Sequence, residues 1–522
     1  MTTTANSQQR KAWMSDQGDG TFVNPVLHAD YSDPDVIRVG EDFYMTASSF
    51  SHIPGLPILH SKDLVNWKLI NHVIQRMELP GYDVPNHGGG VWAPALRYHA
   101  GKFWVFYGDP DVGIFMSTAD DPAGEWEPLH LVQEGKGLID TCPFWDDDGQ
   151  AYMVHAFANS RCGIKHKLRL CRMSEDGRRL LDEGTIVFDG TESHPTMEGP
   201  KMYKRNGYYY IFAPAGGVAT GWQTVLRSRS IYGPYEDRIV LHQGDTPING
   251  PHQGGWVELE SGESWFLHFQ DKGAYGRIVH LQPVRWEDDW PIMGVDSNGD
   301  GIGEPVLRHP KPNVGASYPA EAPDDSDEFD GSELGLQWQW QANPSSEWYS
   351  LRGDSRLRLF AAPIPAAAPS QTLYYAPHLL MQKFPAESFQ ANVRLEVGSL
   401  EAGERAGVVV FGYSFAYAAI RRKEDGSGLE LIRGEGNAKQ ERIVWSTDWS
   451  ANEITLRVTV QVGAVCSFAY ENSDGEFIAC GETDFQAVEG HWVGAKIGLF
   501  AAGVDGNQGG FADADWFRVT SG

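Results

Sequence analysis

Three carboxylates stand out for the place they hold in the chain. Asp33, Asp140 and Glu198 each open a segment in which a short apolar strand runs through a glycine turn into a strongly aromatic strand. Trp92 holds the matching place before another such segment, and His252 before a fifth. Taken singly, each has a plain structural explanation; an Asp before Pro, as in Asp33-Pro34, is a turn former. Three acids in phase with one repeat are not explained that way. Carboxylates gathered across a pocket are the apparatus for cleaving a glycosidic bond. One must be protonated to give its proton to the leaving oxygen, and another ionised to activate water or attack the sugar. A third acid nearby holds up the donor's proton affinity by like-charge repulsion.

The elements that must position these residues follow from the repeat. Its five openings fall at 33, 93, 140, 198 and 254, in steps of 60, 47, 58 and 56 residues. Each pairs two strands around a turn glycine: Gly40, Gly101, Gly149, Gly207 or Gly262. This is a hairpin signature. Weaker strands lie between the hairpins, such as Ile58-Leu59-His60 and Ile114-Phe115-Met116. Units of this size match one four-stranded propeller blade with its loop. The innermost strand of every blade lines the central channel, so equivalent positions meet at one end of it. The reading is therefore an all-β chain with a five-bladed β-propeller over residues 21–300, behind a flexible N-terminus at 1–20.

Residues 301–323 read as a linker rich in proline and turn residues. Just before them, Asp296-Ser297-Asn298-Gly299-Asp300-Gly301 resembles the start of an EF-hand loop. The twelfth position is Leu307 where the motif needs Glu, so this stretch is a turn. From 324 to 522 period-two patterns dominate, as in Ile454-Thr455-Leu456-Arg457-Val458-Thr459-Val460, and predict a β-sandwich.

Composition agrees with this and removes other classes. Aromatic residues make up 12% and glycines number 59, which suits short strands and tight turns. A formal charge of −28 repels phosphate backbones and argues against nucleic-acid binding. No stretch is apolar for ~18 residues, so no membrane span is expected. The five cysteines fit neither a zinc motif nor a disulfide framework. The first residues show no apolar leader core, which predicts a cytoplasmic protein; a secreted one stripped of its leader would read the same.

Specific motifs add a family. Asn24-Pro25-Val26-Leu27, Ser32-Asp33-Pro34-Asp35, Trp92-Ala93-Pro94, Ile139-Asp140, Met197-Glu198-Gly199-Pro200 and Gly276-Arg277 occur in this order. With the stretch from Gln282-Pro283-Val284 to Trp290-Pro291, they resemble glycoside hydrolase family 43, its β-xylosidases and α-L-arabinofuranosidases above all. The resemblance implies a five-bladed propeller and an inverting mechanism. It makes Asp33 the general base, Glu198 the general acid and Asp140 the residue that tunes and orients that acid. Arg277 would reach into the sugar pocket, with Trp92 and Phe50 as its walls. His252 resembles a family histidine that holds a calcium ion on the channel axis, mostly through waters. Calcium prefers oxygen ligands, and a neutral histidine hydrogen-bonded beside the pocket is the alternative.

The C-terminal part resembles the concanavalin-like domain of family β-xylosidases. There Glu328 and Asp515 would help hold a second Ca2+, with sandwich-edge turns as the alternative. Tyr31-Ser32 before the first acid and Thr141-Cys142 after Asp140 depart from the common pattern, which bears on the preferred sugar. The expected activity is exo-release of xylose from short β-1,4-xylo-oligosaccharides. The alternative is removal of arabinose from arabinoxylan. A third reading, a sugar-binding propeller without catalysis, would have lost acids that this chain keeps. Fructan-cleaving enzymes resemble a different motif, Asn-Asp-Pro-Asn-Gly, which is missing here. Self-association into a homo-oligomer is left open.

Overall fold

The computed structural model describes residues 11–436, 440–482, 484–503 and 509–522. The chain folds into a β-propeller of five four-stranded antiparallel blades and a β-sandwich of two eight-stranded sheets. Among the described residues the only α-helix is the single turn Asn159–Cys162, and no helix is long and apolar enough to cross a membrane.

The innermost strands of blades 1 to 5 are Asp35–Val39, Ala95–His99, Leu138–Trp145, Lys201–Arg205 and His252–Glu258. Each pairs with the aromatic strand that follows it, as the hairpin pattern predicts. In blade 2 the next strand outward is apolar and closely covered. Every residue of Gly113–Ala119 is buried, because neighbouring blades pack on both of its faces.

Among the described residues no strand is exchanged between the first and last blades. The ring is closed by the N-terminal segment, which lies along the outer part of blade 5. Leu27 and Val279 exchange backbone hydrogen bonds of 3.3 and 3.0 Å. The Asn24 amide donates to the carbonyls of Leu281 and Val306, both at 2.8 Å, and its oxygen accepts the Leu281 N–H. Residues 1–10 of the expected flexible N-terminus lie outside the described residues. Residues 11–20 are pinned rather than loose: Trp13 donates to the Pro25 carbonyl and the Ala12 N–H to Asp325. The expected linker also contains structure, since Arg308–Pro310 pairs with Thr21–Val23.

In the sandwich, strand Phe389–Glu396 alternates buried and outward positions. Its Val393 and Leu395 share one core with Val408 and Val410 of the facing sheet. All five cysteines are free thiols. The two domains are joined by main-chain contacts. Ile53 and Trp340 form a two-way bridge, and Asn343 donates its N–H to the Tyr82 carbonyl while its side chain bonds both backbone groups of Met77.

Replacing Asn24 by Ala removes three hydrogen bonds at the ring closure and strands partly buried backbone groups. At about 1 kcal/mol net per bond, a loss near 3 kcal/mol is expected. Denaturant unfolding checks this; a change within about 0.5 kcal/mol would show that closure does not depend on Asn24.

Candidate active site

The propeller brings Asp33, Asp140, Glu198 and His252 to one end of the axial channel. The backbone at these positions is specialised. Asp33 and Asp140 adopt left-handed conformations, with φ of 55° and 56°, uncommon for residues other than glycine and least costly for Asp and Asn. The ladder of blade 3 shifts register between Ile139 and Cys142, and that of blade 5 between His252 and Gly254. Such bulges turn a side chain out of the strand's alternation. They aim Asp140 and His252 at the axis.

The three acids differ in surroundings. The Asp33 carboxylate accepts from Ser32 at 2.7 Å, Ser48 at 2.6 Å and the Arg277 guanidinium at 3.1 Å. Arg277 also donates to the Ser32 hydroxyl at 2.7 Å. Because Arg277 can only donate, this setting suits a carboxylate. Asp140 accepts the Gly199 N–H at 2.8 Å. Burial pushes its pKa up to about 8, with the charges of Glu198 and Asp33 adding to the rise. Asp140 therefore keeps its proton into the neutral range. Glu198 keeps 29% of its side chain exposed, against 7% for Asp33, so Glu198 is the acid a ligand oxygen can reach. His252 Nε2 lies 3.0 Å from Glu198 Oε1.

Asp33, Asp140, Glu198 and Arg277 line a pocket of about 280 Å3. Phe50 and Trp92 form one wall, 6.5 Å apart and edge to face. Its cover comes from the other domain. Trp492, in a sandwich loop, packs 6.1 Å from Trp92 and lies over the Arg277 guanidinium at 5.6 Å. Asp30 fastens that loop: one carboxylate oxygen accepts the Arg277 N–H and the other the Gly494 N–H, both at 2.9 Å. The approach requires glycine on both sides. A Cβ at Gly494 would sit 2.7 Å from the Gly276 nitrogen, and one at Gly276 would meet the Asp30 carboxyl at 2.5 Å.

The sequence reading thus finds its three acids, Trp92, Phe50, Arg277 and His252 around one pocket. It misses Trp492, Asp30, Thr196 and Gln253. The left-handed Thr196 and Gln253 carry no sequence signal. Trp492 offers a weak one, a Trp between Gly490 and Gly494.

The expected calcium sites are not supported by the donors. His252 spends Nε2 on Glu198, and its buried Nδ1 has no protein partner. An ion on the channel axis there would take most of its six to eight oxygens from water. Glu328 is held in a fork by Arg518 at 2.7 and 2.8 Å. Asp515 faces Arg356 and Arg394 at 3.4 and 3.3 Å. Both carboxylates of the sandwich are therefore already neutralised by guanidinium groups. No group of three or more His, Cys, Asp or Glu among the described residues has metal-holding geometry.

Comparison with known proteins accords with this geometry. The family described as Glycosyl hydrolases family 43 matches residues 22–291. The chain belongs to this family. Residues 326–520 match the Beta xylosidase C-terminal Concanavalin A-like domain, so this is a family 43 glycoside hydrolase with its companion sandwich. A putative beta-xylosidase of Xylanibacter ruminicola is 42% identical over 94% of this chain and 87% of its own. A non-reducing end alpha-L-arabinofuranosidase of Bacteroides ovatus is 29% identical over 95% of this chain and 94% of its own. Among solved structures, a xylan beta-1,4-xylosidase from Bacillus halodurans superposes with a TM-score of 0.85 at 25% identity. It covers 96% of this chain and all of its own. The family 43 chain therefore acts on carbohydrate, within a group of xylosidases and arabinosidases.

Two outcomes follow for this hydrolase. If the proton held by Asp140 is needed for cleavage, kcat/KM falls as pH rises through about 8. Asp140→Asn removes the group that titrates there, so the limb at that pH should disappear or move. An unmoved limb in a pH–rate profile takes Asp140 out of that role.

Proposed function

We propose that the protein is an inverting, exo-acting glycosidase that removes terminal β-1,4-linked xylose from xylo-oligosaccharides, with a second action on arabinofuranosides. The observation that carries this reading is the pocket itself, with the partly open Glu198 beside the buried Asp33 and Asp140, and Trp492 over them. Such a covered pocket suits one terminal sugar ring rather than a polysaccharide strand running through it.

In this reading Asp33 takes a proton from a water as that water attacks the anomeric carbon. Glu198 gives its proton to the departing glycosidic oxygen. One displacement occurs, so configuration inverts. Arg277 holds Asp33 as an anion and presents its remaining N–H groups to the sugar. Asp140 keeps the proton on the acid side of the pocket, and His252 fixes the Glu198 carboxyl in place. Phe50 and Trp92 offer faces and edges to the sugar's C–H groups.

Release of arabinose from arabinoxylan is the second reading. The Bacteroides ovatus relative, which aligns over 95% of this chain, bears the arabinofuranosidase name. Nitrophenyl xyloside and nitrophenyl arabinofuranoside, assayed side by side, separate the two. Higher kcat/KM on the xyloside is expected, and a preference of about a hundredfold for the arabinoside overturns the first reading. Glu198→Gln should lower kcat by roughly 10²–10⁴ while xylo-oligosaccharide binding stays measurable by calorimetry. NMR of the first product anomer tests inversion, and retained configuration removes Asp33 from its role as base.

A further inference from the structure

A second cavity, of about 220 Å3, opens beside the catalytic pocket and shares Trp492 and Arg277 with it. The sandwich supplies Tyr413, from the turn between strands Arg405–Phe411 and Ser414–Lys423, together with the loop that runs from Glu489 through Trp492. Blade 5 supplies Asp271, at the end of its strand Ser264–Asp271. Tyr413 and Trp492 are 42% and 43% exposed, two large rings left open where the domains meet. The loop that carries them is tied in place. The Tyr413 N–H donates to the Glu489 carbonyl at 2.9 Å, and the Gly490 N–H to the Val493 carbonyl at 2.8 Å. Trp492 has a left-handed backbone, with φ of 65°, which a bulky residue keeps only where its surroundings hold it there.

The polar wall of this cavity has acceptors to spare. Asp271 stands opposite Arg277 in the hairpin register of blade 5, yet that guanidinium is turned to Ser32 and Asp33. Among the described residues the Asp271 carboxylate has one hydrogen-bond donor, the Gly273 N–H at 3.3 Å. The adjacent Lys272 is taken by Glu387 at 2.9 Å. Glu489 adds a second carboxylate to the cavity. Open aromatic rings beside carboxylate oxygens with free lone pairs are what a sugar requires: its hydroxyls donate to the oxygens and its C–H face packs on a ring.

The cavity also lies on the side where a leaving group would emerge. Gly217 and Val218 line the catalytic pocket together with Glu198. The next residue, Ala219, is joined to Asp271 through the Asn249 amide, which donates to the two carbonyls at 3.1 and 3.3 Å. The rim therefore runs without a break from the acid to Asp271.

We propose that the outer cavity is a subsite for the second sugar of the leaving group, with Tyr413 packed against the ring and Asp271 accepting from its hydroxyls, while the first sugar passes over the exposed edge of Trp492. The proposal rests on the reading of Glu198 as the acid and of a xylo-oligosaccharide as the substrate. It makes the protein a reader of chain length beyond the bond it cuts.

The test compares kcat/KM on nitrophenyl xyloside, xylobiose and xylotriose for wild type, Tyr413→Ala, Tyr413→Phe and Asp271→Ala. Wild type should be about tenfold better on xylotriose than on xylobiose, because binding energy from the remote ring is available only to the longer chain. Tyr413→Ala and Asp271→Ala should each remove about fivefold of that gain and leave nitrophenyl xyloside and xylobiose within about twofold of wild type. Tyr413→Phe keeps the ring and should keep most of the gain. Equal kcat/KM on the two oligosaccharides in wild type, a gain that survives both alanine variants, or an equal loss on all three substrates overturns the proposal. If Asp271→Ala does not fold, Tyr413→Ala against Tyr413→Phe decides. Failure of the underlying reading looks different: wild type would then release no xylose from xylobiose, or Glu198→Gln would keep its activity. Calorimetry of xylotriose with wild type and Tyr413→Ala still reads the cavity in that case, and equal Kd values overturn it.

Discussion

Like charges held close together out of water are the constraint around which this molecule is arranged. Asp33 and Asp140 are both 5% exposed, and Glu198 stands beside them. Each ionised carboxylate in such a place loses hydration and repels the others. The fold answers with directed donors: two serine hydroxyls and Arg277 on Asp33, the Gly199 N–H on Asp140, His252 at Glu198. Where donors run out, a proton takes their place, and burial with repulsion holds it on the Asp140 side into the neutral range. The same imbalance that destabilises the site therefore keeps a proton on a buried carboxyl near neutral pH.

The sandwich is part of that site. Asp30 ties the Arg277 backbone to the loop carrying Trp492, so the arginine that holds Asp33 and the ring that covers the pocket share one anchor. The opposed Gly276 and Gly494 let the two chains approach closely enough for this. Trp492, 43% exposed, then stands at the mouth between solvent and sugar. Removing the second domain would leave the acids in place and open the pocket from above.

Much of this was legible in the chain, and the reason is periodicity. Two strands around a turn glycine, repeated five times, leave a mark in hydrophobic pattern and turn chemistry that needs no distant partner. The hairpins beginning near Asp33, Ala93, Asp140, Glu198 and Gly254 all appear as the first two strands of a blade. The acids could be singled out because they keep step with that pattern. The fate of Glu328 and Asp515 had no such guide. Their pairing with Arg518, Arg356 and Arg394 depends on which strands lie next to each other in the sandwich. The short strand Arg308–Pro310 was read as linker for the same reason, since its partner Thr21–Val23 lies almost the whole propeller away in sequence.

The boundary between the two kinds of knowledge is therefore physical. Strand, turn and the phase of the three acids are local properties, set by alternation of side chains and by where glycine permits a reversal. Those were already present in the order of residues. The left-handed backbone at Asp33 and Asp140, the closing of the pocket by Trp492 and the outer cavity between Tyr413 and Asp271 belong to the folded molecule alone. They arise from contacts between segments tens to hundreds of residues apart, and the energy of a buried charge is decided by what the assembled chain puts around it.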